Sequence, residues 1–421
     1  MAENHRKRVV VTGLGCLSPV GNDVKTTWTN ILAGVSGGGR ISVYDPSPYK
    51  NQIAAEVKGF DAKALFGHRD ARHMDRFTQM ALASAMEAVK DANLTITDEN
   101  RRRIGAIVGS GIGGSNTIFE QARVFFGGHP DRVSPFTVPM MIPDSAGGMI
   151  AIHLKIQGPN IAVVSACATG GNAIGEATEV IRRGAADVML AGGSEAAINP
   201  MAIAGLGNMT ALSMRNDDPE HASRPFDKTR DGFLTGEGAA VLVLESFEHA
   251  QARGANMYGE ILGYGCNNDA YHISAPAENG RGAADCMRIA LDDAGLKPEQ
   301  IDYINAHGTS TPLNDKSETA AIKTAFGELA YDIPVSSTKS MTGHMIGAAG
   351  AIETIFCLLA MRDSIIPPTI NYEVPDSECD LDVVPNKSRS KEMSVVMTNS
   401  FGFGGHNATL IVGSAKLAKA N

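Results

Sequence analysis

The sequence lacks the features of a membrane, nucleic-acid-binding or secreted protein. No apolar run approaches the roughly 20 residues of a membrane-spanning helix. The net charge of −9 argues against general nucleic-acid binding, which needs a basic face. Residues 1–8 are polar and lack the apolar core of a signal peptide. We therefore expect a cytoplasmic protein without a membrane span.

Motifs for metals, disulfides and nucleotides are also missing. The six cysteines are scattered without a CxxC pair, which fits a reducing compartment better than a disulfide framework or a zinc site. No P-loop occurs, and the glycine-rich residues 109–114 lack the acidic residue expected about 20 positions after a dinucleotide-binding loop. The sequence therefore predicts no metal and no nucleotide cofactor.

The chain is long, and its glycine content is high. Its 421 residues exceed one ordinary small domain, so we expect two or three structural units. Its 46 glycines are about 11% of the chain, against an average near 7%. They punctuate apolar segments, which is typical of tight turns and close backbone approaches.

Short β-rich runs ending in glycine or small residues alternate with helical stretches, the pattern of a layered α/β fold. In the first half, strands are predicted at residues 8–15, 104–109, 161–165 and 188–192. Helices are predicted at residues 79–90 and 175–184, and the second ends in two arginines and a glycine.

The second half repeats this order, which predicts a duplicated α/β unit. Its echoing strands are predicted at residues 258–265, 301–306, 333–336 and 394–398. The halves should meet near residue 255, with residues 1–255 carrying Cys167 and cap insertions and residues 256–421 carrying His307 and His344. The insertions are predicted at residues 116–141 and 199–232.

Cys167 follows an apolar run and precedes Ala168-Thr169-Gly170-Gly171, where a helix should begin. A nucleophile at a strand-to-helix turn is lifted clear of its neighbours. The helix N-terminus also favours the thiolate, because its free N–H groups carry partial positive charge. A buried structural cysteine is the plain alternative, and position alone leaves the two interpretations evenly balanced. The other five cysteines are interpreted as structural.

Two histidines lie where α/β folds place ligand groups. His307, in NAHGTST, follows a strand, although a histidine satisfied by loop hydrogen bonds is the alternative. His344, in KSMTGH, lies at a helix start beside Lys339, where the helix dipole disfavours cations and keeps the imidazole neutral. Lys339 alone would be interpreted as a surface lysine, with Glu353 on the next helix as its charge partner.

A glycine-rich turn with two aromatics, NSFGFGG, contains Phe401 and Phe403. It could be a turn with core aromatics. It could also be a gate that supplies a backbone N–H to an oxyanion, as acyl transfer requires.

Together these segments resemble the β-ketoacyl-[acyl-carrier-protein] synthases of the thiolase-like superfamily, in particular the elongating class of bacterial fatty acid synthesis. The resemblance runs from Arg8 to Gly413 and rests on SACATG, NAHGTST, KSMTGH and NSFGFGG. It implies a duplicated five-layered α/β/α/β/α fold with two mixed sheets. It also implies decarboxylative condensation without a cofactor.

The resemblance further implies roles for individual residues. Cys167 would take the acyl chain from acyl carrier protein, and His307 and His344 would donate hydrogen bonds to the malonyl thioester as CO₂ leaves. Phe403 would gate the site and, with Cys167, supply the oxyanion hole, while Lys339, paired with Glu353, would tune the field. Substrate contacts would come from Ile112 at the acyl pocket and from Ser274, Thr309, Thr311 and Phe401.

Expected partners follow from the same resemblance. Acyl carrier protein is acidic, so a local basic patch is expected despite the overall negative charge. Arg69, Arg72 and Arg132 are candidates, with solvated surface arginines as the alternative. Members of the family are homodimers, which is the expectation here.

One departure and several alternatives stay open. His406 stands where the family usually has threonine after FGFGG, a change that we interpret as tuning the gate or as neutral. A coenzyme A thiolase would need a second cysteine in the last glycine-rich turn, and an initiating synthase would have asparagine in place of His344. A type II polyketide ketosynthase and a non-catalytic chain-length partner remain as alternatives, although the intact Cys167, His307 and His344 speak against the latter.

Overall fold

The computed structural model describes residues 6–420. The strands are β1 (Val9–Leu17), β2 (Gly38–Arg40), β3 (Ile53–Ala55), β4 (Ile104–Gly109), β5 (Asn160–Ile161), β6 (Val188–Glu195), β7 (Gly238–Ser246), β8 (Gly259–Asn268), β9 (Tyr303–Asn305), β10 (Val335–Ser336), β11 (Ile365–Ile366), β12 (Arg389–Ser390), β13 (Val395–Gly402) and β14 (His406–Ser414). The α-helices are α1 (Val24–Leu32), α2 (Ala62–Ala71), α3 (Arg76–Asp91), α4 (Ser115–Phe126), α5 (Thr137–Met141), α6 (Ser145–Leu154), α7 (Thr169–Arg182), α8 (Pro200–Asn208), α9 (Phe247–Ala252), α10 (Arg281–Ala294), α11 (Pro312–Phe326), α12 (Lys339–Thr342), α13 (Ala349–Asp363) and α14 (Ala415–Ala420).

Ten of these strands form two mixed five-stranded sheets, which confirms the predicted duplication. The first has the order β5-β4-β6-β7-β1 and the second β10-β9-β13-β14-β8. In each, the first two pairings are parallel and the last two antiparallel. The sheets join edge to edge between β1 and β8, through Val10 with Glu260 and Val11 with Gly259. The molecule is therefore built from two copies of one topology.

Side chains from alternating faces of the strands form three apolar layers. One layer lies between the two sheets, and one lies on the outer face of each sheet. In β7, Leu242 and Leu244 face one layer while Val241 and Val243 face another, because successive strand residues point to opposite faces. The middle layer holds α7 and α13 between the sheets. Helices α3 and α6 cover the outer face of the first sheet, and α10 and α11 cover the second. These are the five layers that the family resemblance implied.

The duplication brings the starts of α7 and α13 together in the middle layer. Each helix follows a short 3₁₀ turn whose entry has positive φ, Ala166 at +50° and Ile346 at +43°. Non-glycine residues rarely adopt this region, so both turns are held by their surroundings. The strand and helix ends that carry the candidate residues therefore converge at one place.

The predicted strand at residues 161–165 is largely wrong. Only Asn160–Ile161 pairs, as the edge strand β5, and residues 162–165 are irregular. Ile161 and Val164 are more than half exposed in the single chain, so the apolar run is not the buried strand that its composition indicated.

The predicted division at residue 255 falls between α9 and β8, and it stays a prediction. The two predicted insertions carry short helices: α4 and α5 lie in the first and α8 in the second. Among residues 6–420, no helix is both long and apolar enough to cross a membrane.

Candidate active site

Cys167 lies in the 3₁₀ turn Ala166–Ala168, directly before α7. The turn places its side chain at the junction of the two halves, where only 6% of it is exposed. Ser165 accepts a hydrogen bond from Asn172, and its N–H donates to Thr169, so the turn is tied to the first part of the helix. The sequence-based placement of Cys167 at a strand-to-helix turn is thus reproduced, with irregular backbone before it.

Burial raises the pKa of Cys167 to about 12. The N–H of Phe403, the positive charge of Lys339 and the N–H of Cys167 itself oppose this shift, while the charge of Glu195 adds to it. The expected influence of the helix N-terminus is one contribution, because the N–H of Cys167 itself lowers this pKa while burial raises it by more. Desolvation of a fully buried thiolate outweighs the favourable dipoles, so the group rests as a thiol.

His344 is the immediate partner of that thiol. Its Nε2 lies 3.0 Å from Cys167 Sγ. His307 lies beside it, with ring centroids 5.3 Å apart and nearly perpendicular planes. The sulfur and one ring nitrogen from each histidine all lie within 4.8 Å of one another. A single substrate carbonyl can therefore be reached by all three groups.

Both histidines are neutral. Burial, and secondarily the charge of Lys339, lower the pKa of His307 and of His344 well below its ordinary value. His344 also lowers the pKa of His307. A neutral imidazole can accept a proton from a thiol or donate a hydrogen bond to an oxygen, so these residues can act in either capacity.

Glu318 orients the loop that carries His307. Its two carboxylate oxygens accept from the N–H groups of His307 and Gly308, at 2.8 and 2.7 Å. The carboxyl is buried, and burial raises its pKa to about 7. The sequence analysis missed this residue. Its signal was available, because Glu318 shares the apolar stripe of α11 with Ile322, where a charged residue is unusual.

Lys339 and Glu353 form a buried ion pair. Lys339 Nζ lies 2.5 Å from Glu353 Oε1, and each side chain is 1% exposed. Glu353 Oε2 has no hydrogen-bond partner among the described residues. Lys339 is therefore not the surface lysine of the plain alternative, and it holds a fixed positive charge near both imidazoles.

The turn after β13 brings a backbone donor to Cys167. An added Cβ at Gly402 would lie 2.9 Å from both Cys167 N and Ser165 O, so only glycine permits this approach. Phe403 follows, and Gly404 has φ of +82°, which glycine adopts without strain. The N–H of Gly404 donates to Ile273 O at 2.7 Å. The turn therefore holds the N–H of Phe403 toward the sulfur.

A cavity of about 340 Å³ opens onto these groups. The catalytic candidates and most of the predicted substrate contacts line it: Cys167, Ser274, His307, Thr309, Thr311, His344, Phe401 and Phe403. Phe233, which was not predicted, also lines it and packs edge-on against His344 with centroids 5.2 Å apart. Ile112 lies outside this lining and is 39% exposed, so its place at an acyl pocket stays a prediction.

The sulfur also faces an apolar cluster. Cys167 packs with Ala197, Ile346 and the partly buried Ala202. The nucleophile thus separates a mixed polar cavity from an apolar region, an arrangement suited to a substrate with a polar and an apolar end.

The three arginines of the predicted patch are exposed and lie on neighbouring surface segments. Arg69 lies near the end of α2, Arg72 just after it, and Arg132 precedes α5. The segments touch where His73 stacks on Phe136, with centroids 4.0 Å apart. Salt bridges from these arginines are absent among residues 6–420, so their charge faces solvent.

His406 begins β14 and packs on the glycine turn. An added Cβ at Gly404 would lie 3.1 Å from two atoms of its ring. The imidazole therefore fills space against the turn without touching the reacting groups, and its effect on the gate stays a prediction.

A thiol and two imidazoles are also common metal ligands, and those of Cys167, His307 and His344 lie close enough together to bind one ion. Ligating histidines almost always donate their other ring N–H to an acceptor. Here the Nδ1 atoms of both histidines are buried without a hydrogen-bond partner in the described part of the chain. The surroundings do not provide the outer contacts of a metal centre, which favours acyl chemistry at this cluster.

Two family models match the chain. The beta-ketoacyl synthase N-terminal domain matches residues 6–250, and the beta-ketoacyl synthase C-terminal domain matches residues 258–373. Together they cover most of the sequence, including Cys167, His307, Lys339 and His344.

Curated relatives and solved structures agree with these models. The chain is 54% identical to 3-oxoacyl-[acyl-carrier-protein] synthase 2 of Staphylococcus aureus (strain N315), over 98% of this chain and 99% of the relative. It is 51% identical to the protein of that name from a Synechocystis species, over 97% and 99%. A type II PKS ketosynthase, solved in complex with its acyl-carrier protein, has a TM-score of 0.91 at 36% identity, covering 98% of this chain and all of that chain. A beta-ketoacyl synthase from Burkholderia phymatum has a TM-score of 0.90 at 35% identity, covering 97% and 100%.

Proposed function

The chain belongs to the beta-ketoacyl synthase family, and from that premise we propose how its site carries out the reaction. It is an acyltransferase that condenses malonyl-carrier protein with an enzyme-bound acyl group, releasing CO₂, in fatty acid elongation. The product is a 3-oxoacyl chain two carbons longer. The assignment of each step to named residues is our proposal.

The first step is acyl transfer to Cys167. His344 Nε2, 3.0 Å from the sulfur, accepts the thiol proton as the sulfur attacks the thioester carbonyl of the acyl substrate. The N–H groups of Cys167 and Phe403 donate to the oxyanion that develops. When the tetrahedral intermediate collapses, the carbon–sulfur bond to the carrier breaks. The departing thiolate then takes the proton from His344.

The second step is decarboxylation of the malonyl thioester. Before this step His344 changes tautomer, taking a proton at Nε2 and releasing the one on Nδ1. His307 and His344 then each donate a hydrogen bond from the ring nitrogen that faces the cavity to the thioester oxygen. The electron pair of the breaking C–CO₂ bond then forms an enolate that these hydrogen bonds stabilise. Because both imidazoles are neutral, they lower the energy of the enolate without protonating its carbon.

The third step joins the two carbon chains. The enolate carbon attacks the carbonyl of acyl-Cys167, and the same two backbone N–H groups stabilise the oxyanion. The bond to sulfur then breaks, and the Cys167 thiolate takes one proton from solvent. The high pKa of this buried thiol, about 12, favours that return to the neutral state.

The observation that carries the assignment is the convergence of Cys167 Sγ and the two ring nitrogens within 4.8 Å, beside the N–H of Phe403. Lys339 acts at a distance, since its charge adds to burial in lowering the pKa of both imidazoles. Its pairing with Glu353 supports a tuning role. Ser274, Thr309, Thr311 and Phe401 are assigned to the substrate because they line the same cavity.

Acyl carrier protein is the proposed partner, docked at the exposed guanidinium groups of Arg69, Arg72 and Arg132. A homodimer is also proposed, since β5 is an edge strand and Ile161 and Val164 beside it are exposed apolar residues. A cytoplasmic location remains a prediction.

The two alternative functions, a type II polyketide ketosynthase and a non-catalytic chain-length partner, have less support. The type II PKS ketosynthase is 36% identical to this chain, whereas the 3-oxoacyl-[acyl-carrier-protein] synthase 2 of Staphylococcus aureus is 54% identical. A chain-length partner without activity would have no use for the aligned Cys167 and His344.

The test is condensation with malonyl-carrier protein and saturated acyl-carrier proteins of several lengths, monitored by CO₂ release and product mass. We expect 3-oxoacyl-carrier protein extended by two carbons. Repeated extension of a 3-oxoacyl starter, without extension of saturated chains, would contradict the fatty acid assignment.

A further inference from the structure

Glu195 is a buried carboxylate that the proposed mechanism does not use. It ends β6, its side chain is fully buried, and among residues 6–420 it has no cationic partner. Its two oxygens instead accept four hydrogen bonds. Burial raises the pKa of this carboxyl to about 7, and the four donated hydrogen bonds oppose that shift by stabilising its ionised form.

The four donors come from two segments that flank Cys167. Oε1 accepts from Ser110 Oγ at 2.9 Å and from Ile112 N at 3.3 Å. Oε2 accepts from Gly111 N at 2.8 Å and from Gly347 N at 3.1 Å. One carboxylate therefore ties the turn after β4 in the first half to the turn before α13 in the second.

Glycines allow this close approach. An added Cβ at Gly111 would lie 2.8 Å from Glu195 Oε2 and 2.9 Å from Ile346 Cγ2. At Gly347 it would lie 2.4 Å from Gly111 N. The Glu195 carboxylate and the two turns therefore pack so closely that any side chain at Gly111 or Gly347 would collide with them.

These turns border the apolar side of the nucleophile. Ile346 belongs to the apolar cluster that contacts Cys167, and an added Cβ at Gly111 would lie 3.2 Å from Ala166 O. An acyl chain carried on the sulfur is apolar and should extend toward this side, because the cluster there is formed by apolar side chains alone, whereas the cavity on the opposite side has a mixed polar and apolar lining.

We infer that Glu195 is a positioning residue that fixes the two walls of the acyl site, Gly111–Ile112 and Ile346–Gly347, and thereby determines how well long acyl chains are accepted. This inference rests on the proposed transfer of an acyl chain to Cys167. A short acyl group barely reaches beyond the sulfur, whereas a long one depends on the walls along its length.

Glu195→Gln tests this at a defined contact. The amide nitrogen can replace Oε1 and donate to Ser110 Oγ, while the amide oxygen keeps Gly111 and Gly347. The N–H of Ile112 then faces another donor and loses its acceptor. The variant therefore frees the N–H of Ile112 and the hydroxyl proton of Ser110 from Oε1, with little change in side-chain volume.

The experiment measures the rate of Cys167 acylation by butyryl- and hexadecanoyl-carrier protein in the full-length protein, using intact mass. In Glu195→Gln we expect the hexadecanoyl rate to fall about tenfold, as loss of one charged hydrogen bond implies, and the butyryl rate to change less than about threefold. Amide hydrogen exchange of residues 110–113 should increase in the same variant.

Glu56→Gln is the matched control. Glu56 is also buried and also accepts from loop donors, the N–H and hydroxyl of Ser42 and the N–H of Val43, away from Cys167. It should leave the ratio of the two rates unchanged. If Glu195→Gln fails to fold, Ser110→Ala removes one donor to Oε1 and should shift the ratio in the same direction.

Different results of this experiment would contradict the proposed function and the positioning role of Glu195. If the wild-type protein does not acylate Cys167 with either chain, the proposed function is wrong. If it acylates both and Glu195→Gln, or Ser110→Ala in its place, lowers both rates equally or neither, the positioning role of Glu195 is wrong.

Discussion

Cys167 Sγ lies 3.0 Å from His344 Nε2, and the two residues come from opposite halves of a duplicated fold. The cysteine precedes α7 and the histidine lies just before the turn that leads into α13. Because these helices share the middle layer, the pair exists only when both halves are packed together. The reactive contact is thus a product of the duplication.

His344→Ala should slow acylation of Cys167 by about 10²–10⁴-fold, the usual effect of removing a general base. His307→Ala should slow acylation far less, because only His344 contacts the sulfur. Both variants should slow release of CO₂ from malonyl-carrier protein. Single-turnover acylation and CO₂ assays distinguish the steps, and equal acylation defects would contradict the assignment of the base to His344.

The sequence allowed much of this site to be predicted. Strand alternation and glycine-terminated runs are local signals, so they located the elements that carry Cys167, His307 and His344. The repeated order of elements then placed Cys167 and His344 in equivalent positions, each between a short strand and a central helix, and His307 after the neighbouring strand β9. Local patterns succeed here because each residue lies at the end of a regular element.

What the sequence could not reveal depends on tertiary packing. Glu195 binds backbone N–H groups from two distant segments, and nothing in its local sequence shows those donors. Glu318 carried a local signal, but its bonds to the N–H groups of His307 and Gly308 depend on how that loop folds against α11. That burial outweighs the helix dipole at Cys167 could not be predicted either, because the degree of burial is set only in the assembled fold. The exposed run after β5 was predicted to be a strand because apolar composition alone does not distinguish a buried segment from an exposed one.

The pKa of Cys167, about 12, predicts how its alkylation depends on pH. Since the thiolate is the nucleophile, the rate of reaction with iodoacetamide should rise about tenfold per pH unit from pH 7 to pH 10. Mass spectrometry of the Cys167 peptide reports that rate, with the exposed Cys266 as internal reference. A plateau near neutral pH would show a stabilised thiolate instead.

Lys339→Met should destabilise the protein by about 3–5 kcal/mol, because it leaves Glu353 buried without its partner. Adding Glu353→Gln should recover much of that loss, as denaturant unfolding would show. In the double variant the acid limb of the pH–rate profile should move to higher pH, since the charge that lowers the pKa of both histidines is gone. If the acid limb of the pH–rate profile does not move, Lys339 does not tune the pKa of the histidines.

Charge reversal of the arginine patch should weaken carrier binding without affecting chemistry. Arg72→Glu should raise KM for acyl-carrier protein about tenfold at low salt, and less at high salt, because rim charges act through screened electrostatics. Turnover of a small acyl-pantetheine thioester should not change. Arg102→Glu, an exposed arginine elsewhere, is the control, and an equal effect there would contradict the patch.

The most direct measurement is the intact mass of the protein after incubation with hexadecanoyl-carrier protein, followed by peptide mapping. We predict a gain of one hexadecanoyl group on Cys167, discharged when malonyl-carrier protein is added. We also predict no gain in Cys167→Ala. A gain that persists in Cys167→Ala, or no gain in the wild-type protein, would contradict the assignment of Cys167 as the nucleophile.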